Sequence, residues 1–123
     1  MGRSRAEPDL RLGTVRWYSS LRRPGEISFV RRSGLHARAA TVAAHASQAS
    51  GGNCRIAVTV SKAVGKAVVR NLVKRRIKGA LDGLRAPGRP LRIVLVARPE
   101  AGTEPYERLA RDVEAVMARF ALA

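Results

Sequence analysis

Apolar residues recur along this chain with two periods, and each period predicts a different kind of element. In C-R-I-A-V-T-V-S, Cys54 to Ser61, residues Ile56, Val58 and Val60 alternate with Arg55, Ala57 and Thr59, which predicts a strand with one apolar face. L-R-I-V-L-V-A, Leu91 to Ala97, is a β-branched run between Pro90 and Pro99, as expected of a buried central strand. Val69, Val73, Ile77, Ala80 and Leu84 instead fall on one arc of a helix that occupies Val64 to Leu81 and its C-terminal margin. Tyr106, Leu109, Val113, Val116 and Phe120 repeat at three- and four-residue steps and form the core stripe of a last helix. Thr103 is its expected cap, with Pro105 in the first turn.

The first half of the chain is less periodic. Pro24 followed by G-E-I-S-F-V-R-R-S-G predicts a short helix that starts at proline and stops at Gly34, with Ile27 and Val30 on one face and Arg31 and Arg32 turned elsewhere. The alanines of L-H-A-R-A-A-T-V-A-A-H-A, Leu35 to Ala46, suit a helix, while the flanking Gly34 and Gly51-Gly52 favour a strand entering a hairpin. Residues 1 to about 23 carry six arginines, with Trp17 and Tyr18, and no sustained period. They read as a disordered extension or as an arm that stacks an aromatic ring on bases. The expected order is α-β-β-α-β-α: an α+β sandwich with helices on a small mixed sheet, as one domain over residues 21–123 preceded by a basic extension over 1–20.

Charge changes this picture more than composition does. Twenty-four Lys and Arg against nine Asp and Glu give a net charge of +15. Such an excess repels itself in the folded chain and attracts polyanions, of which nucleic acid is the commonest in a cell. No cationic helix carries the bulky apolar face of a membrane-surface helix, and no apolar run is long enough to span a bilayer, so a soluble cytoplasmic protein is expected. The charge concentrates in V-G-K-A-V-V-R-N-L-V-K-R-R-I-K-G-A-L, Val64 to Leu81. Around that helix Asn71, Lys74, Arg75 and Lys78 oppose the apolar arc, and Arg70 and Arg76 flank it, able to reach outward along their stems. A solvated face usually mixes signs, yet no acid occurs between Glu26 and Asp82. Guanidinium forks suit phosphate oxygens, and an amide suits a base edge or a ribose hydroxyl.

Candidate chemistry is absent where an enzyme would show it. S-K-A-V-G-K-A precedes a helix as a phosphate-cradling loop would, but Val60 stands where its first glycine belongs and Ala67 where its hydroxyl belongs. His36 and His45 lie nine apart with no adjacent carboxylate and read as surface or structural residues. Glu104, Glu107, Asp112 and Glu114 read as the solvated face of the last helix. The single Cys54 excludes an intrachain disulfide and reads as a small core residue. No nucleophile-base pair and no metal-ligand cluster emerges, so no catalytic or metal-binding residue is assigned.

R-I-A-V-T-V-S-K-A-V-G-K-A-V-V-R-N-L-V-K-R-R-I-K resembles the signature of the protein subunit of bacterial ribonuclease P: a strand, a lysine-bearing turn and an Arg-Asn-Arg helix. L-R-I-V-L-V-A-R-P is similar to that family's next strand, and T-E-P-Y-E-R-L to its last helix, so the resemblance covers the chain from about Leu21 onward. It implies a ribonucleoprotein enzyme whose RNA holds the active site and its Mg2+, with no cofactor on the protein. The partners it implies are the catalytic RNA and precursor tRNA, whose 5′ leader is removed. No membrane or DNA partner is expected. RNA contacts would fall on Lys62, Lys66, Arg70, Asn71, Lys74 and Arg75, with Lys78 beside them on the basic arc. A leader cleft would draw on Ile27, Val30, Arg31, Arg55 and Thr59. The resemblance also implies a left-handed β-α-β crossover, against the usual rule.

Two departures stand out. Leu72 occupies the third place of the Arg-Asn-Arg motif, and the first helix offers Ile27 and Arg31 where relatives often place aromatic residues. The alternative reading is a ribosomal or other structural RNA-binding protein with the same charge and no turnover. A DNA-binding helix-turn-helix is disfavoured by the strands on both sides of the basic helix.

Overall fold

The computed structural model describes residues 17–121. Its elements run β1 (Tyr18–Ser20), α1 (Pro24–Ser33), β2 (Leu35–Arg38), β3 (Val42–Gln48), β4 (Cys54–Val60), α2 (Ala67–Asp82), β5 (Leu91–Ala97), a 3-10 turn (Pro99–Gly102) and α3 (Tyr106–Ala121). The expected order is present, with one strand added at the start and the alanine-rich segment divided into two. Pro24 opens α1, and the Gly34 N–H closes it on the Val30 carbonyl at 2.9 Å. The alanines of β3 are strand, not helix, because Ala44 and Ala46 are enclosed between the sheet and the helices above it. Tertiary packing overrides a weak local propensity there.

The strands form one mixed sheet in the order β1-β4-β5-β3-β2. β5 pairs parallel to β4 and antiparallel to β3, so its uninterrupted apolar run occupies the centre. One face carries Val42, Ala44, Ala46, Ile56, Ile93 and Leu95, on which α2 and α3 place Val73, Ile77, Leu81, Leu109, Val113, Val116 and Phe120. On the other face Leu21 and Val30 close over Ala57 and Val94, with Ile27 and Val96 at the margin. β4 is therefore apolar on both sides rather than one. α1 itself packs chiefly across β3 and β5, and burying Val30 completely stabilises its seat on the sheet by about 2 kcal/mol.

Four local expectations are corrected. Residues 18–20, placed in the extension, form β1 and pair in parallel with β4 from Tyr18 opposite Cys54 to Ser20 opposite Ile56. Trp17 Nε1 donates to the Leu81 carbonyl at 3.0 Å, and the Tyr18 hydroxyl donates to Asp82 Oδ1 at 3.3 Å, which ties this strand to the C-terminal end of α2. The rest of the extension lies outside the described residues. Thr103 does not cap α3: its hydroxyl donates to the Glu100 carbonyl at 3.3 Å, and the Pro105 carbonyl receives the first N–H groups of α3. Tyr106 is 40% exposed, whereas Met117 joins the stripe in its place. Asp112, expected on the solvated face, is buried and accepts both the Thr41 N–H at 3.0 Å and the Thr41 hydroxyl at 2.6 Å.

Candidate nucleic-acid interface

The basic helix is held from both ends. After β4 the chain turns through Ser61–Gly65, with Val64 N–H on the Ser61 carbonyl at 3.1 Å and Gly65 N–H on the Lys62 carbonyl at 3.2 Å. Val64 is driven into the core, and its carbonyl lies so close to Gly102 that a Cβ there has no room. Gly65 has φ 154°, a region side-chain-bearing residues rarely adopt, and a Cβ on it would stand 3.0 Å from Val69 Cγ1. The turn is thus pinned between the core and the 3-10 turn while Lys62 and Lys66 stay in water.

On α2 the predicted arc is inward: Val73, Ile77 and Ala80 are buried, Leu81 with them, and Val69 and Leu84 pack at the edge. Asn71, Lys74 and Arg75 are exposed, and Arg70, Arg76 and Lys78 are half-buried along their stems. Among the described residues, no carboxylate pairs with Lys62, Lys66, Lys74, Arg75 or Lys78; the ion pairs lie on Arg55, Arg92, Arg98 and Arg108 instead. The first turn of α2 carries no acid, so the positive end of the helix dipole adds to Lys66 rather than being offset. Among the described residues, no carboxylate relieves repulsion within this stripe. A polyanion relieves it.

The second surface is the sheet face under α1. The strand registers arrange it in three rows: Ser47, Arg92 and Arg55; then His36, His45, Val94 and Ala57; then Arg38, Ala43, Val96 and Thr59. α1 lies over the middle row. Its Glu26 accepts two hydrogen bonds from the Arg55 guanidinium, at 3.3 and 2.9 Å, and approaches Arg92 at 3.5 Å. The Arg55 hydrogen bond chiefly holds the Glu26 carboxyl below the usual carboxylate range. A depressed carboxylate stabilises the fold above its unfolded pKa and loses that effect as pH falls through its folded one, so this latch weakens only in acid. Arg92 also lies over the Phe29 ring, 5.3 Å from its centre.

Of the residues assigned to this cleft, Ile27 is at its margin, Arg31 is exposed and Thr59 donates to the Leu95 carbonyl at 3.3 Å. Val30 has no accessible surface and serves as the support of α1, and Arg55 is engaged by Glu26. Sequence reasoning missed Arg38, Val96 and the His36–His45 pair. Alternation within each strand would have placed each on a face, but only the hairpin register puts the two histidines opposite one another.

A family model described as Ribonuclease P matches residues 17–121. The chain belongs to the ribonuclease P protein family. The match begins one residue before β1. The chain is 40% identical over 99 residues to the ribonuclease P protein component of Pseudarthrobacter chlorophenolicus, covering 79% of this chain and 73% of the relative. It is 34% identical over 99 residues to that of Kocuria rhizophila, covering 80% and 88%. The ribonuclease P protein of Staphylococcus aureus has the same fold, with a TM-score of 0.74 at 18% identity over 86% of this chain and 96% of that one.

Within the ribonuclease P signature, the Leu72 departure has a structural setting. Leu72 is half-buried but belongs to neither hydrophobic cluster, and Val68, one turn before it, is 81% exposed. Arginine at this position adds repulsion beside Arg75 and Arg76 but gains reach to a phosphate. Leu72→Arg is expected to lower the melting temperature slightly while tightening binding to a ribonuclease P RNA by roughly 1 kcal/mol, with a steeper salt dependence. Titrations of both chains at several salt concentrations check this. Weaker binding with a large stability loss would instead make Leu72 a core residue.

Proposed function

We propose that this chain binds the catalytic RNA of ribonuclease P through α2 and the turn before it, and the 5′ leader of precursor tRNA through the cleft beside α1. In doing so it promotes endonucleolytic 5′ maturation of tRNA. The observation that carries the reading is the cationic stripe, without a carboxylate partner among the described residues, on a helix fixed at both ends. Lys62, Lys66, Arg70, Lys74, Arg75 and Lys78 would meet phosphates, and Asn71 a base edge or ribose hydroxyl. A rigid array loses little side-chain entropy on binding beyond that of its own long stems. Ile27, Arg31 and Thr59 would line the leader's path, with Arg55 and Val30 holding α1 in place.

In this reading the RNA supplies the chemistry. Cys54 is buried, its Sγ directed at the Arg89 carbonyl 3.6 Å away, and the histidines face each other rather than a carboxylate. Magnesium would be held by RNA oxygens; among the described residues, no three His, Cys, Asp or Glu side chains come together. Among these residues too, no helix is long and apolar enough to cross a membrane. The test is reconstitution with a bacterial ribonuclease P RNA at low magnesium. Stimulated release of the leader, with no cleavage by the protein alone, is the expected result. RNA binding without stimulated cleavage would select a purely structural RNA-binding protein.

A further inference from the structure

His36 on β2 and His45 on β3 are direct cross-strand partners, with ring centres 4.8 Å apart and planes tilted by 45°. They sit on the sheet face that α1 only partly covers, in the row that continues into Val94. His36 is exposed and His45 half-buried. Resting on the cleft as the leader's path, we infer that this imidazole pair is a proton-linked contact for the phosphodiester backbone of single-stranded RNA.

The charges facing the pair come from every element around it. Arg31 of α1 acts on His45, Arg38 of β2 lies one row along, and Arg92 of β5 lies one row the other way, already engaged by Glu26. Val94 of β5 brings no charge. Loss of hydration, then the neighbouring His36 and Arg31, hold the His45 imidazole below its usual range. In the free chain a proton on His45 is therefore resisted by Arg31 and by its partner ring. Folding disfavours that proton, so the free chain loses stability as pH falls from the unfolded pKa of histidine toward the folded one. A phosphodiester reverses the balance: it brings a negative charge, does not itself titrate near neutrality, and accepts the N–H groups that protonation creates. A metal cation has the opposite problem. It would meet Arg31 and Arg38 in a chain of net charge +15, which rules against reading the pair as a metal site.

Equilibrium binding by the reconstituted holoenzyme tests this without involving the cleavage step. Affinity is measured for precursor tRNA with a leader and for the same tRNA without one, between about pH 8 and pH 6. The leader-dependent gain is expected to rise about fivefold toward the lower pH, part of the tenfold per pH unit that full uptake of one proton would give. His36→Gln with His45→Gln keeps polar side chains but removes the titration, and should leave a leader gain that no longer varies with pH. A gain independent of pH in the unaltered chain, or a slope that survives in the double variant, overturns the inference and leaves the cleft reading standing. No leader-dependent gain at any pH overturns the cleft reading itself, and this inference with it. Proton NMR of the unaltered chain supplies a second readout: a short single-stranded RNA should raise the His45 titration midpoint, and an unmoved midpoint overturns the proposal.

Discussion

Replacing Arg70, Lys74 and Arg75 together with alanine is expected to weaken binding to a bacterial ribonuclease P RNA by about two to three orders of magnitude near physiological salt. Three charge-assisted hydrogen bonds to phosphate at roughly 1 to 1.5 kcal/mol each give that loss. The salt dependence is the more diagnostic readout. Each cation removed from a phosphate should take about 0.7 to 0.9 off the slope of log affinity against log salt, so the triple variant should be flatter by roughly two units. Lys74 and Arg75 stand clear in solvent and truncating them disturbs little packing, but Arg70 is half-buried and its stem contributes to the fold. A melting curve for the variant separates the two effects, and Arg111→Ala on α3 provides a control for the loss of one exposed cation outside the basic stripe. An unchanged slope in a folded triple variant would remove α2 as the RNA-binding element.

The largest effect on stability is expected at Asp112. Its Oδ2 accepts both the N–H and the hydroxyl of Thr41, and its other oxygen lies 3.5 Å from Arg108 Nε. Thr41 itself is fully enclosed, in the turn that joins β2 to β3. Asp112→Ala leaves two buried donors without an acceptor, at a cost of about 3 kcal/mol. For a domain of this size that is a drop in melting temperature of roughly 10–20 °C. The exposed Arg108 contributes little of it, because water screens that half of the arrangement. Asp112→Asn keeps one acceptor and should lose distinctly less. RNA affinity, corrected for the folded fraction, should be unchanged in both, since Asp112 faces the core and not α2's basic stripe. A melting temperature unaffected by Asp112→Ala would mean that Thr41 finds another acceptor and the hairpin is not tied to α3.

Some of this protein is dictated by short-range periodicity alone. The inward and outward faces of α2 follow from residues three and four apart, because a helix turns each side chain by a constant angle whatever lies around it. The same regularity identifies β5 as central and places Leu109, Val113, Val116 and Phe120 against the core, and the missing acids between Glu26 and Asp82 mark the basic stripe as a candidate binding face. Resemblance carried further, to the ribonuclease P family and its fold, because the strand, turn and basic helix lie next to one another in the chain.

What stays hidden in the sequence is non-local. β1 has three residues, too few to show a period, and exists only because Tyr18 lies opposite Cys54 and bonds to Asp82. Ala57 reads as the polar side of a strand until Leu21 and Val30 close over it, and Tyr106 and Asp112 exchange their expected places because α3 meets a particular turn rather than a uniform apolar surface. His36 and His45 are unremarkable nine residues apart; the register of one hairpin makes them a pair. Periodicity reports how a segment presents itself to a surface, whereas strand pairing and cross-chain hydrogen bonds depend on which segments the collapsed chain brings together. That second kind of information belongs to the tertiary structure.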